Sequence, residues 1–399
     1  MYCIQTDRKR CFPGIVVAGA GVAGCAVALG AARAGAKVLL LENGNAPGGM
    51  AGAGMIAKWM GGTRSPLQQE IDRRITGSEL APPRRCEGLL NECLKSVLLQ
   101  MLEEAGVELL LGTRVVDAEC TGRKVTALLA ANVSGIERIA APCLVDATGD
   151  GTLAACAGAG FELGRESDSL CQGASLMFRI GGVDPQIKYL PESFDVPYQV
   201  PGGELGELAS HWLTPPAGHV ILHRTGIPGM ICANMTNAVK FDFSDAVQRT
   251  EAELLCWKQI REIVPFLRRF MPGFENCFLL GTASQFGVRE SRHFYGDYRI
   301  TEEDIRAGRQ FPDWIAQENF FPFDIHNVEG KGLDIAGELE MPPRFYSIPL
   351  RACLPAGLDG LLLAGRNISG THKAHSSFRV MPICLNIGLG VGVAAAVAL

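Results

Sequence analysis

The feature that most constrains this chain is a short glycine pattern, Gly19-Ala20-Gly21-Val22-Ala23-Gly24, set between an apolar run and a helix-like stretch. Ile15-Val16-Val17-Ala18 has the unbroken apolar character of a strand buried on both faces of a parallel sheet. Cys25 to Ala34 reads as a helix rich in small residues, and Gly35 stops it. Lys37-Val38-Leu39-Leu40-Leu41 then reads as a second strand closed by Glu42. A lone GxGxxG in a glycine-rich chain carries little weight. Strand, turn, helix, strand and closing acid in that order are the full context of a dinucleotide fingerprint. Gly19 permits the tight turn, Gly21 lets backbone approach a pyrophosphate, and Gly24 lets helix and strand pack closely. The helix start adds about half a positive charge and unclaimed N–H groups. Glu42 can accept hydrogen bonds from ribose hydroxyls and would repel a 2′-phosphate. These residues predict an α/β chain with a Rossmann-like parallel sheet, its helices and a small antiparallel section.

Glycines beyond the second strand narrow the choice of dinucleotide. Gly48, Gly49 and Met50 are succeeded by Gly52, Gly54, Gly61 and Gly62. NAD-binding folds rarely need that much bare backbone there, whereas FAD runs its long pyrophosphate and ribityl section past this point. Glycine makes up 48 of 399 residues, well above the usual share of about 7%. Leu144-Val145-Asp146 is expected to be a strand entering the turn Ala147-Thr148-Gly149-Asp150-Gly151, a second return of the chain to the nucleotide. FAD is therefore the expected cofactor, held by Gly19, Gly21, Gly24, Glu42, Gly48, Gly49, Met50, Thr148, Gly149 and Asp150.

Between the motifs, Cys86-Glu87-Gly88-Leu89-Leu90 is expected to open an amphipathic helix to about Ala105, followed by a strand at Val107–Leu111. Thr113-Arg114-Val115-Val116 begins a hairpin section in which Val115 is placed for a backbone contact with adenine. From 174 to 345 prolines, aromatics and charges increase and no nucleotide motif appears, which predicts a mixed substrate domain with helical stretches near 245–270 and 301–310. The expected boundaries are 14–173 and 346–399 for the two parts of the FAD-binding domain and 174–345 for the inserted domain. In the last part an apolar strand, Leu361-Leu362-Leu363, reaches Gly365 and Arg366. A polar loop follows, and Met381-Pro382 opens a helix to the chain end.

Composition excludes other classes. Forty-two acidic against 37 basic residues give a net charge of −5, so nothing draws the chain to nucleic acid or anionic lipid. No two of the fourteen cysteines stand three apart, which removes CxxC redox pairs, zinc ribbons and ferredoxin-type runs. They are read as reduced, mostly buried thiols of a cytoplasmic protein without a signal peptide. The uncharged runs Gly14–Ala32 and Val380–Leu399 approach a membrane span in length, but each is better explained inside an α/β core, so no membrane insertion is expected.

Taken together, the motifs resemble the FAD-dependent oxidoreductases grouped with the flavin subunit of heterodisulfide reductase, within the glutathione-reductase-like superfold. GAGVAG with Glu42, GGM at 48–50, DATGDG at 146–151, GVRESR at 287–292, DIH at 324–326, LLLAGRNIS at 361–369 and SFRVMP at 377–382 occur in that family's order. The cysteine-rich motifs of members that carry electrons through iron–sulfur clusters are missing from this chain. The resemblance implies that the helix opened by Pro382 points its N-terminus at the flavin, where a partial positive charge stabilises reduced flavin.

The candidate catalytic groups are Arg289, Arg292, His326, His372, His375 and Arg379. Arginines with histidines over a flavin suit a small substrate bearing a carboxylate or hydroxyls, from which a histidine removes a proton as hydride leaves for flavin N5. Bland readings stand beside these: Arg289 and Arg292 could form an ion-pair network with Glu290, His372 and His375 could be loop caps, and Cys384 is a packing residue. As a metal pair His372 and His375 lack further ligands. Three activities remain open: a dehydrogenase or oxidase passing electrons to an unnamed acceptor, a flavin monooxygenase using NAD(P)H, and a flavin-binding electron-transfer subunit. The apolar end Gly392–Leu399 has no polar cap, which suits docking against a second copy or a partner subunit as well as ordinary burial.

Overall fold

The computed structural model describes residue 6 and residues 8–61, 63, 65–82, 88–193, 197–332 and 340–399. Its centre is a five-stranded parallel sheet ordered Leu361–Leu363, Cys143–Asp146, Ile15–Ala18, Val38–Leu41, Glu108–Leu110. The three middle strands are buried along their whole length, which is why they could read as unbroken apolar runs. Chain order reverses between Ile15–Ala18 and Cys143–Asp146. Ligands bind such sheets at that switch point, beyond the carboxyl ends of the strands. The fingerprint turn and the ATGDG turn both leave the sheet there, side by side, with the Ala147 N–H donating to Ala18 O at 2.8 Å.

Two apolar helices that resemble membrane segments in sequence are in fact packed on one another. Val22–Arg33 lies against Met381–Val397, and glycines let their backbones touch. A Cβ on Gly388 would stand 2.2 Å from Ala23 O, and a Cβ on Gly30 2.6 Å from Leu389 O. Among the described residues no single helix is long and apolar enough to cross a membrane; only the pair His372–Phe378 and Met381–Val397, bent by 89°, reaches that length and composition together.

A second sheet joins the antiparallel hairpin strands Arg114–Thr121, Lys124–Asn132 and Gly135–Ala140, to which the charged Arg8–Cys11 adds in parallel. A third, antiparallel sheet is ordered Leu222–Arg224, Ile231–Ala233, Phe178–Gly181, Phe278–Thr282 and is covered by the long helix Ala246–Phe270. It has its own apolar core, drawn from residues between Cys171 and Val288 together with Ala57. From Phe294 onward the apolar residues return to the first core.

Three local expectations are corrected. The helix expected from Cys86 begins at Asn91 and runs to Glu104; Cys86 and Glu87 lie outside the described residues. Leu89 is held instead by its N–H on Ala57 O at 2.5 Å, and Asn91 spends its amide on Ala51 O and Ile56 O at 2.6 and 2.9 Å. The stretch at 301–310 is helical only over Glu302–Arg306, where Thr301 and Asp304 form a capping box and Gly308, at φ +60°, ends the turn. Part of the expected polar loop before Pro382 is a helix, His372–Phe378, capped by Thr371. Its buried serines are satisfied by carbonyls: Ser376 Oγ donates to Lys373 O and Ser377 Oγ to Phe321 O, each at 2.7 Å.

Candidate active site

The nucleotide cradle is built largely from missing side chains. A Cβ on Gly24 would sit 1.8 Å from Gly19 O, so only glycine lets the helix approach its own turn. At Gly21 the opposite holds: an added Cβ would meet nothing within 4 Å among the described residues. Gly21 is also the N-cap of Val22–Arg33, which has neither a side-chain cap nor an acid in its first turn. The first-turn N–H groups thus face open space, the arrangement that receives a phosphate. Glu42 accepts from Ala20 N and Gly44 N, both at 2.7 Å, using one lone pair on each oxygen and leaving another on each for a ribose hydroxyl. Gly48 pairs with Gly21, and Gly49 and Met50 begin a short 3-10 turn against it. Val115 is buried in the hairpin strand just after Thr113, whose N–H donates to Glu42 O at 2.8 Å. These features fit an adenine dinucleotide.

Past the ATGDG turn the chain becomes charged. Thr148 donates its N–H and Oγ1 to Asp146 Oδ1 at 2.9 and 2.8 Å, fixing the turn beside Gly149. The Asp150 carboxylate pairs with Arg366 and accepts from Ser291 Oγ at 2.8 Å and Arg249 Nη1 at 2.9 Å. Burial alone would raise this acid, but Arg366 and Arg249 hold it down to about 2. Its carboxylate is spent on protein, and its effect is to aim Arg366. Gly365, at φ +100°, brings that arginine round from the strand end.

Arg366 and Met50 both line a cavity of about 370 Å³ that also borders Gly287–Arg289 and Val380–Met381. Pro382 sits in the first turn of the helix that starts there, and Val380, its N-cap, offers no side-chain cap. The other wall comes from the third sheet and the residues flanking its strands: Met177, Ile221, His223 and Asn234. One end of the cavity is ionic. Arg379 Nη2 donates to Asp324 Oδ2 at 3.1 Å, to Asp324 O at 2.9 Å and to Gln172 Oε1 at 3.2 Å. Arg289 Nη1 donates to Gly173 O at 2.6 Å and Ser175 Oγ at 2.9 Å. His326 Nε2 stands 3.7 Å from Asp324 Oδ2. Burial would raise Asp324, but the His326 ring, Arg379 and Arg289 keep it a carboxylate far below its ordinary range. Burial, then Arg289, pushes His326 down to about 4, so it is a neutral base at pH 7. Burial and Arg379 draw Arg289 down to about 9, still a cation. Two cations and one anion leave this end one positive charge.

The remaining candidates gather elsewhere. His372 Nδ1 and His293 Nε2 meet the same buried oxygen, Glu290 Oε1, at 2.7 and 2.6 Å, and Glu290 Oε2 accepts from Gln172 N at 2.6 Å. Burial opposes ionisation of Glu290, yet the two histidines hold it well below its ordinary value. The expected network of Glu290 with Arg289 and Arg292 does not form: Glu290 takes histidines, and Arg292 donates to Asp150 O at 3.0 Å while its guanidinium lies 5.3 Å over Phe161. Loop capping is likewise overturned, because Thr371 caps the helix and His375 is buried edge-on against His293 at 4.7 Å. The donor atoms of Glu290, His293 and His372 lie within 4.8 Å of one another, close enough for a shared ion, although hydrogen bonds join them here. No spacing rule in the sequence announces that grouping. Cys384 donates to Arg379 O at 3.2 Å, and burial pushes its thiol up to about 12, as suits packing.

Sequence reasoning named Arg289, His326 and Arg379 but passed over Asp324, Gln172 and Ser175, which hold them. Asp324 stood two residues from His326 in a motif already singled out. Gln172 and Ser175 are recognisable only once the sheet brings residues 172–175 beside 287–290.

A parallel sheet with a bare phosphate turn at its switch point and a polar-ended cavity bordered by Met50 and Arg366 defines an FAD-binding oxidoreductase. The chain belongs to the FAD dependent oxidoreductase family, whose sequence profile matches residues 14–399. No curated protein matches it. Among solved structures it is similar to a flavin-dependent brominase in triple-mutant form, at 15% identity over 97% of this chain and 79% of that one, with a TM-score of 0.51. It is also similar to a geranylgeranyl bacteriochlorophyll reductase-like protein from Thermoplasma acidophilum, at 12% identity over 97% and 77% of the two chains, TM-score 0.49. At 15% identity the likeness to the brominase shows the fold alone.

Proposed function

We propose that this enzyme oxidises a small polar organic molecule bearing a carboxylate or hydroxyls, with hydride passing to flavin N5. Bound FAD supplies a two-electron acceptor that an external oxidant later discharges. The observation that carries the reading is the ionic end of the cavity. Arg289 and Arg379 exceed Asp324 by one charge, which matches a single carboxylate. Neutral His326 can take the proton of a substrate hydroxyl, and Asp324 beside it stabilises the imidazolium that results. The uncapped N-terminus of Met381–Val397 at the same cavity favours developing negative charge. The stretch 174–345 we take as the substrate domain, its own core lying within 171–288 and its later part packing on the first core. Kinship with the flavin subunit of heterodisulfide reductase rests on motif order alone and is part of this proposal.

The test is an anaerobic screen of hydroxy acids, sugars and amines against the yellow holoenzyme, read as bleaching of the flavin bands. Hydroxy acids should bleach it. Reduction by NADPH alone, with no organic compound active, would replace this reading with the monooxygenase one.

A further inference from the structure

The sheet wall of the cavity carries polar groups that the proposed chemistry does not use. Ile221 just before the strand Leu222–Arg224 and His223 within it are two residues apart and so share a face. Leu222 pairs with Ala233, which sets Asn234 opposite Ile221, and the Asn234 N–H donates to Ile221 O at 2.9 Å. Ile221, His223 and Asn234 all line the cavity. His223 is 8% exposed, and its Nδ1 has no hydrogen-bond partner among the described residues; Asn234 Oδ1 is buried and lacks one too. Leaving buried polar groups unpaired is costly, and two such groups on one cavity wall point to a ligand that satisfies them.

The charges around His223 differ from those at the ionic end. Those acting on His223 are Lys58 and Glu192, an ion pair at 3.3 Å that also lines the cavity. Those acting on Arg289 include Arg379 and Asp324. Lys58 and Glu192 cancel, and burial keeps His223 neutral, down to about 4. A charged ligand group gains nothing here, whereas a neutral donor and acceptor does: its proton goes to Asn234 Oδ1 and its oxygen takes the His223 N–H.

We propose that His223 and Asn234 form a second recognition point that selects substrates carrying, besides the carboxylate, a neutral hydroxyl or amide separated from it by an apolar middle. Met177 and Ile221 give the same cavity apolar lining for that middle. This rests on the proposed carboxylate site, and the experiment keeps the two apart.

Three probes are titrated into the oxidised holoenzyme and read by perturbation of the flavin spectrum: 3-phenylpropionate, its para-hydroxylated form, and the corresponding para-hydroxylated alcohol, which has no carboxylate. The hydroxylated acid should bind about tenfold tighter than the plain acid, as expected for pairing a buried polar group. Asn234→Leu and His223→Phe, checked for FAD content and melting temperature, should each narrow that gap by weakening the hydroxylated acid alone. Equal binding of the two acids to the wild type, persistence of the gap in both variants, or no perturbation by any probe at millimolar concentration overturns the inference. If the alcohol binds as tightly as the hydroxylated acid while the gap still depends on His223 and Asn234, the carboxylate reading fails and the second recognition point stands.

Discussion

The nucleotide cradle and the ionic end of the cavity are built in opposite ways. The cradle runs almost unbroken from Ile15 to Met50, and most of what it offers is backbone. The ionic end draws side chains from 289, 324, 326 and 379 and secures them with Gln172 and Ser175. One region works by leaving atoms out, the other by holding charges in place. Volume therefore decides what a substitution does in the first, and charge in the second.

The largest effect should come from the cradle, where two glycines three residues apart ought to fail differently. Gly21→Val places its side chain in open space, so the protein should fold with an unchanged apoprotein melting temperature and emerge colourless. Gly24→Val drives its Cβ into Gly19 O and should cost about 3 kcal/mol of stability as well as the cofactor. Absorbance and thermal melting distinguish them. Full flavin in Gly21→Val would show that the phosphates run elsewhere.

In the cavity the same assays should show the reverse pattern, with FAD kept and turnover lost. His326→Gln should lower turnover about a thousandfold, within the range for loss of a general base. Wild-type kcat/KM should hold down to about pH 4, where His326 in the substrate-free enzyme takes its proton, and His326→Gln should lack that limb. The same histidine affects stability. Its folded value, about 4, lies below the ordinary 6.5, so its contribution is complete above 6.5 and is lost as pH falls from there through 4. Buried His219 and His223, at about 3 and about 4, act with the same sign. Acid should therefore loosen the fold before it silences the base. Arg379→Ala comes next, at about a hundredfold in kcat/KM, because one charge-assisted contact is lost while Arg289 remains. Parallel loss of flavin in either variant would break the division between the two regions.

That division also sets what could be read from the sequence. Gly19, Gly21, Gly24 and Glu42 were legible because strand, turn and helix are consecutive, and each spacing has a local steric reason. The cavity was half legible. Arg289, His326 and Arg379 stood out as residue types in late motifs, but nothing local separated them from His372, His375 and Arg292, which lie in similar motifs. Long-range pairing made the separation. Ser175 bridges to Gly287, drawing Arg289 toward 173–175, while Glu290 turns the other way to Gln172 N and the histidines. His223 and Asn234 were invisible for the same reason, since only the pairing of Leu222 with Ala233 makes them neighbours.

The smallest expected effect tests this sorting most sharply. His372 was as good a candidate as His326 in the sequence, yet its Nδ1 is committed to Glu290 and it does not line the cavity. In His372→Asn the carboxylate keeps His293 and the Gln172 N–H, so the loss should be near that of one hydrogen bond to a charged group, about 2 kcal/mol. Turnover with a bleaching substrate should change less than about twofold, because neither Arg379 nor His326 bonds to that histidine. A fall of a hundredfold with FAD retained would mean that the buried cluster acts on the cavity through Gln172, whose N–H holds Glu290 while its Oε1 accepts from Arg379. Gln172→Leu would then reproduce the fall, since it cuts the side-chain link and spares the backbone one. If His372→Asn is silent and Gln172→Leu is not, Gln172 matters only as a support for Arg379, and the two clusters are independent.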